Sequence, residues 1–355
     1  MKRVGNLWPE LISFPNLLRA AQRAAAGKRS RPDVAAFLLE LEPQLARLQR
    51  EIESGSYTPG PYRSFRVRDP KPRLISAAPF RDRVVHHALT QVLEPVFERR
   101  FSRDSFACRT GLGTHRALAR AKEGARRCPC VLQCDIRKYF PSIDHQILKD
   151  LLARAIKCGR TLDLAARIIG ASNPQEPVVA YFPGDDLFTP FERGRGLPLG
   201  NQTSQFFANV YLNPLDQHVA RQLRPEMYAR YVDDFVLFGE SKAQLADFRR
   251  EIESQLCGLR LELHPGKSRV YRTADGFTFL GWRIFPQRAR LVRGNVVRFR
   301  RRMRHLAAEY AQGGIGWDEI RPRVQAWIAH AAHGETWRLR QQLFGQFTFQ
   351  KGRAV

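Results

Sequence analysis

Hydrophobic positions near the start of the chain recur at helical intervals. Val34, Phe37, Leu38, Leu41, Leu45, Leu48 and Ile52 advance by three and four, an amphipathic stripe that predicts helix. Pro43 falls inside the stripe and is expected to break or kink it. Ser54-Gly55-Ser56 and Pro59-Gly60-Pro61 end it. The period then changes. Residues 62–68 alternate as a strand does, and residues 70–75 supply a hairpin partner across a turn at Asp69-Pro70. Val84, Val85, Ala88, Leu89, Val92 and Leu93 return to helical spacing.

From residue 130 onward strand-like and helix-like stretches alternate. Residues 131–136 form a short apolar run that contains Asp135. Residues 148–169 read as mostly helical and 204–223 as one long helix; Leu245, Phe248, Ile252 and Leu256 form a further helix face. Residues 227–239 read as a strand pair around two aspartates, and 277–285 as a last strand pair. Residues 171–196 carry five Gly or Pro from Pro174 to Pro190 and read as an insertion loop. After Pro286 the pattern is helical. No ~20–50-residue period repeats, which argues against solenoids and propellers.

Charge changes this picture more than bulk composition does. The 355 residues are 43% hydrophobic, enough for a core and too many for wholesale disorder. Lys plus Arg number 59 and Asp plus Glu 34, a net charge of +25 that favours a polyanionic partner. Residues 286–355 hold 14 Lys or Arg against 4 acids, which marks a basic C-terminal nucleic-acid-binding subdomain. No apolar run reaches the ~18 residues of a membrane span, and the first residues carry no apolar signal core. A cytoplasmic protein without membrane contact is expected. Cys128, Cys130 and Cys134 lie close together, but no second pair at zinc-finger spacing follows, so no zinc is expected.

The densest chemical signal is Asp233-Asp234 inside the run Tyr228-Ala229-Arg230-Tyr231-Val232-Asp233-Asp234-Phe235-Val236-Leu237-Phe238. Burying two carboxylates there costs several kcal/mol unless something cationic neutralises them. A tight hairpin with the pair at its tip, facing a divalent metal, resolves the conflict. An exposed turn with two solvated aspartates is the competing reading. Mg²⁺ suits hard oxygen ligands and keeps places for water and phosphates. A two-metal site, with ions ~3.5–4 Å apart, needs a shared ligand from elsewhere. Asp135 can supply it, and only adjacent strands of one sheet can bring it to the pair. Gly184-Asp185-Asp186 offers a second pair of aspartates. Pro183 and Pro190 flank it and prevent a central strand pair, so a structural loop is expected.

Taken in order, these motifs resemble the reverse transcriptase family. Tyr231-Val232-Asp233-Asp234 resembles its Tyr-x-Asp-Asp box, and Asp135 with Phe140 five residues on resembles its first catalytic-aspartate motif. Gly196-Leu197-Pro198-Leu199-Gly200-Asn201-Gln202-Thr203-Ser204-Gln205 is similar to the Gly-x-x-x-Ser motif before the long palm helix. Gly258-Leu259-Arg260-Leu261 with Lys267, then Phe279-Leu280-Gly281-Trp282, resemble the two closing palm motifs. Pro70-Lys71-Pro72-Arg73-Leu74-Ile75 and the segment from Arg81 to Leu89 resemble the fingers. The resemblance covers residues 55–285.

It implies an α+β right-hand polymerase with fingers and palm, built from an antiparallel sheet plus helices, and a short helical thumb. The segments would be an N-terminal helical extension (1–54), fingers (55–130), palm (131–285, with the insertion loop 171–196) and a basic helical thumb (286–355). The implied activity is RNA-directed DNA synthesis from template RNA, a primer extended as cDNA, and dNTPs. Asp135, Asp233 and Asp234 would hold two Mg²⁺ ions, with Mn²⁺ as a substitute, and Ile136 would offer its backbone carbonyl. Phe140 would sit against the sugar and exclude a 2′-hydroxyl by a clash. Lys71 and Arg73 would meet the triphosphate. Leu199, Gly200 and Gln205 would lie at the nucleotide. Lys267 would protonate the pyrophosphate or neutralise it. Gly281 and Trp282 would support the primer end, and Arg298, Arg300, Arg301, Arg302 and Arg304 would contact phosphates.

Leu199 and Gln205 narrow the resemblance. Many reverse transcriptases carry Gln and Pro at these two places. The pattern Leu-Gly-x-x-x-Ser-Gln resembles the enzymes of diversity-generating retroelements, as does the segment from Gly55 to Phe65. That resemblance implies copying with errors at adenines and a small basic homopentameric accessory protein. The insertion at 171–196 departs from the shortest of those enzymes. The alternatives are a free-standing group II intron-derived or antiphage-defence reverse transcriptase, an RNA-dependent RNA polymerase, and a non-catalytic RNA-binding protein. Phe140 argues against the RNA polymerase and the three intact aspartates against the silent protein.

Overall fold

The computed structural model describes residues 2–68, 72–172 and 176–350. Four helices come first, α1 (Trp8–Ile12), α2 (Phe14–Ala25), α3 (Pro32–Leu39) and α4 (Leu41–Ser54). The helical stripe breaks at Glu40, not at Pro43. Pro43 sits in the first turn of α4, where its missing N–H has no intrahelical partner to lose. Gly55 closes α4 at φ +76°, a left-handed conformation that glycine adopts without strain. The hairpin β1 (Arg63–Val67) and β2 (Arg73–Ala77) follows as an antiparallel pair. The turn expected at Asp69-Pro70 lies outside the described residues. Then come α5 (Phe80–Glu98) and α6 (Thr114–Arg127).

The chain continues through β3 (Cys130–Asp135), α7 (Tyr139–Ser142), α8 (His145–Ala155), α9 (Gly159–Gly170), α10 (Thr189–Glu192) and α11 (Gln202–His218). Next are β4 (Met227–Tyr231), β5 (Asp234–Gly239), α12 (Lys242–Gly258), β6 (Arg269–Arg272), β7 (Phe277–Phe279), β8 (Trp282–Ile284) and β9 (Ala289–Leu291). Helices α13 (Arg293–Ala311), α14 (Trp317–Ala331) and α15 (Trp337–Phe344) finish it. The apolar pattern misses two strands. β6 is a short, half-exposed sheet edge, and β9 alternates over only three residues beyond Pro286. The helix expected over 204–223 ends at His218, and Val219–Leu223 continue as a π-helical turn.

Two compact units divide the chain along lines that differ from its linear segments. The first comprises residues 1–108, 136–223 and 250–264. Here α2 and α11 pack on α5, and α8 packs on α9 and α11. Leu17, Leu89, Leu93 and Tyr211 are wholly buried among them. The start of α8 is fixed by Asp144, whose carboxylate accepts the N–H groups of Gln146 and Ile147 at 2.8 and 3.0 Å. That buried carboxylate also takes a 2.6 Å hydrogen bond from Arg260.

The second unit comprises residues 109–135, 224–249 and 265–355. Its antiparallel sheet has the order β4-β5-β3-β6. Helix α6 lies so close to it that a Cβ on Gly124 would meet the Phe238 ring at 2.5 Å. Strands β3 and β5 read as near-continuous apolar runs because residues on both their faces are buried. A separate three-stranded sheet has the order β7-β8-β9. Phe299, Met303 and Leu343 form the core of the last three helices, with Phe299 stacked on Trp327 at 3.8 Å. The architecture is α+β, and no helix among the described residues is long and apolar enough to cross a membrane.

Candidate active site

Pairing of Tyr231 with Asp234 leaves Val232 and Asp233 as a two-residue turn between β4 and β5. Val232 has φ +59°, a left-handed conformation that costs a β-branched residue about 1–3 kcal/mol. The wholly buried Arg230 supports that turn: its guanidinium donates to the Val232 carbonyl at 2.9 Å. On the other side of β5 runs β3, in a register that puts Asp135 directly opposite Asp234. Residues directly opposite in an antiparallel pair share a face, with Cβ atoms ~4.5–5.5 Å apart. Two carboxylates thus emerge side by side, and Asp233 follows at the apex. All three residues are partly exposed.

The other edge of β3 pairs with β6, and the turn before β6 carries Lys267. Its ammonium lies 2.8 and 2.9 Å from the two oxygens of Asp135. The hydroxyl of the buried Ser268 accepts from the Asp135 N–H and donates to the Asp135 carbonyl, both at 3.4 Å. Three carboxylates on adjoining strands are the hard oxygen donors that Mg²⁺ takes, so the residues fit such an ion in kind. Among the described residues, however, no three carboxylate, imidazole or thiol groups are already disposed to hold a metal. Cys128, Cys130 and Cys134 are buried free thiols.

The residues expected at the nucleotide belong to the first unit. Lys71 lies outside the described residues. Arg73 is exposed at the start of β2. That strand is tied to the loop before α11. The Ser76 N–H donates to the Leu199 carbonyl at 3.2 Å, and the Asn201 amide donates to the Ser76 carbonyl at 3.0 Å. Gly200 has φ +109°, and a Cβ there would come within 2.9 Å of Ile75. Leu199 is half-buried and Gln205 exposed. Phe140 is half-buried, and its carbonyl accepts the Leu197 N–H at 2.9 Å. These bonds bring Arg73, Phe140, Leu199 and Gly200 into one connected frame. Ile136 is buried and bridges to Leu263.

The same unit holds a basic concavity that no local pattern signals. Arg23, Lys28, Arg83, His86 and His87 line it with Gly200 and Gln205 at the start of α11. Burial, and then the neighbouring cations, push His87 down to about 4; burial and the His87 and Arg83 charges push His86 down to about 3. Its cations come from segments far apart in sequence, so only folding collects them.

Asp185 and Asp186 are engaged inside the insertion. The Asp185 carboxylate accepts the Phe182 N–H at 2.8 Å and an ion pair from Arg193, both partners of which are buried. Asp186 accepts from the Phe188 and Thr189 N–H groups at 2.9 and 2.7 Å.

Gly281, at φ +83°, accepts at its carbonyl from the Val292 N–H and the Asn295 amide at 3.1 and 3.2 Å. Trp282 is wholly buried beside His330 and Lys122, so its ring presents no exposed surface to a primer. On α13, Phe299, Met303 and Leu306 face the core while Arg298, Arg301, Arg302 and Arg304 are exposed and Arg300 is half-buried.

The profile of the family described as reverse transcriptase (RNA-dependent DNA polymerase) matches residues 67–284. Protein YkfC of Escherichia coli is 30% identical over 292 residues, 70% of this chain and 73% of that protein. The group II intron-encoded protein LtrA of Lactococcus lactis is 25% identical over 181 residues, 50% of this chain but only 28% of LtrA. A putative COX1/OXI3 intron 2 protein of Saccharomyces cerevisiae is 24% identical over 186 residues, 51% of this chain and 20% of that protein.

Proposed function

The chain belongs to the reverse transcriptase family, and from that premise we propose nucleotidyl transfer by a two-metal centre on Asp135, Asp233 and Asp234. The enzyme is an RNA-directed DNA polymerase, acting on RNA template, primer and dNTPs with a divalent metal. One observation carries the reading: the strand register that sets Asp135 across from Asp234. When bound, Mg²⁺ would supply Lewis acidity at the primer 3′-hydroxyl and charge neutralisation at the triphosphate. Asp135 and Asp234 would hold it from neighbouring strands, Asp233 from the turn, and Ile136 through its carbonyl. Arg73, with Lys71, would orient the triphosphate, since a guanidinium matches phosphate oxygens in a bidentate fork. Phe140 would press on the sugar and reject a 2′-hydroxyl. The exposed arginines of α13, and the basic concavity around Arg83, would bind nucleic-acid phosphates.

We further propose that the enzyme copies its template with errors at adenines, as part of a diversity-generating retroelement served by a small basic homopentameric accessory protein. Leu199 supports this. It is tied by its carbonyl to β2, next to Gly200, and at the nascent pair its apolar side chain would stand where an amide could hydrogen-bond. Packing alone discriminates by only ~1–3 kcal/mol. The test is sequencing of cDNA made from an RNA of balanced composition, with and without the accessory protein. Errors concentrated opposite template A are expected. Equal errors opposite all four bases would overturn the retroelement reading and favour the free-standing intron-derived enzyme, towards which the similarity to LtrA points.

A further inference from the structure

Lys267 occupies an unusual place for a surface cation. Its ammonium is symmetric about the Asp135 carboxylate, 2.8 Å from one oxygen and 2.9 Å from the other. One positive charge thus contacts both carboxylate oxygens. The Lys267 side chain is 43% exposed and Asp135 only 16%, so the lysine is the partner that can leave. Leaving would not unpack the sheet. The β3–β6 register from Cys130–Arg272 to Gln133–Arg269, together with the Ser268 hydroxyl on the Asp135 backbone, holds the strand ends without the ammonium. Lys267 itself lies in a turn.

We infer that Lys267 is a placeholder for the divalent cation, holding the Asp135 carboxylate in position until a metal displaces it. The inference rests on the proposed role of Asp135 as a metal ligand. The exchange is electrostatic: one ammonium leaves the carboxylate as one divalent ion arrives, and no bond or proton is transferred. A lysine suits the task better than an arginine. It is a compact point charge on a flexible stem, where an arginine would lock the carboxylate in a bidentate fork. Displacement also frees the ammonium on the same turn to meet the negative charge of the leaving pyrophosphate. Lys267 is thus a positioning residue before metal arrives.

The placeholder role predicts a sign that mere structural support does not. Mn²⁺ binding to the full chain, measured by the electron paramagnetic resonance of free Mn²⁺ with no substrate, should tighten about two- to fivefold in Lys267→Met, the size of a half-exposed ion pair. The same variant should extend primers more slowly despite binding metal more tightly. A residue that only braced Asp135 would leave Mn²⁺ affinity unchanged or weaken it in Lys267→Met, and either result overturns the inference. A second measurement needs no variant: acetylation of Lys267 by acetic anhydride, followed by peptide mapping, should rise when Mg²⁺ saturates the wild-type protein. Unchanged or reduced reactivity also overturns it. Asp135→Asn separates metal binding by Asp135 from the role of Lys267. If that variant binds Mn²⁺ as wild type does, the metal-ligand reading of Asp135 has failed, whatever Lys267 does.

Discussion

Asp185-Asp186 and Asp233-Asp234 are the same dipeptide in two settings, and the difference lies in what surrounds the carboxylates. In the insertion the protein itself answers both charges. Asp185 is buried on Arg193 and a backbone N–H, and Asp186 caps a turn at Thr189. In the hairpin the pair stands at the end of apolar strands, one member directly across from a third aspartate. Carboxylates answered by arginine and backbone hold a loop together. Carboxylates set against one another on adjoining strands are the arrangement that we propose a divalent cation completes.

The largest effect expected from this contrast is on rate. Asp233→Ala should slow primer extension by dNTPs about a thousandfold or more, roughly 4 kcal/mol of transition-state stabilisation. Its melting temperature should hold, since the change relieves repulsion among carboxylates. Asp185→Ala should do the reverse. It leaves the buried Arg193 with one fewer partner, and stability should fall by about 1–3 kcal/mol while the folded enzyme extends primers within about tenfold of wild type. A thousandfold rate loss in Asp185→Ala would mean that the wrong pair was assigned to the chemistry.

Next in size is sugar selection. Phe140→Ala should raise use of rNTPs relative to dNTPs by about tenfold or more, because the side chain proposed to face the sugar is shortened while the hairpin is untouched. Single-turnover incorporation of matched dNTP and rNTP measures it, and an unchanged ratio sinks the gate.

A smaller effect is expected at the basic helix. Changing the exposed Arg298, Arg301 and Arg302 to Gln should flatten the salt dependence of template binding by up to ~0.7–0.9 per lost phosphate contact. Arg300→Gln, altering a half-buried side chain, should change the slope less. Equal slopes in all of these proteins would make the arginines a solvated face.

The smallest is fidelity. Leu199→Gln should lower errors opposite template A by a few-fold, because one added amide contributes roughly the ~0.5–1.5 kcal/mol of a single net hydrogen bond. Sequenced cDNA from both enzymes decides it.

Much of this was legible before folding. A carboxylate pair inside an apolar run is a local conflict, and placing it at a tight hairpin needs only neighbours in sequence, although the turn itself is Val232-Asp233 and Asp234 already belongs to β5. Pro183 and Pro190 likewise exclude a central strand around Asp185 from local sterics alone. Helix α4, its end at Gly55 and the apolar strands β3 and β5 all follow from period and turn chemistry. The edge strand β6 and the three-residue β9 did not follow, because too few residues alternate to set a period.

What the sequence determined by itself is therefore the chemistry that neighbouring residues can express: the three aspartates, the glycine at position 200, the amphipathic basic helix. Only the tertiary structure decided that Asp135 faces Asp234, that Lys267 holds Asp135 across 132 residues of chain, and that Arg23, Lys28 and Arg83 share one concavity. It also decided that Trp282 points inward and Arg230 lies wholly buried beneath the strained turn. The physical reason is range. Propensity, capping and periodicity act over a few residues, whereas strand register and charge clustering depend on which distant segments the core brings together, and no local period records that choice.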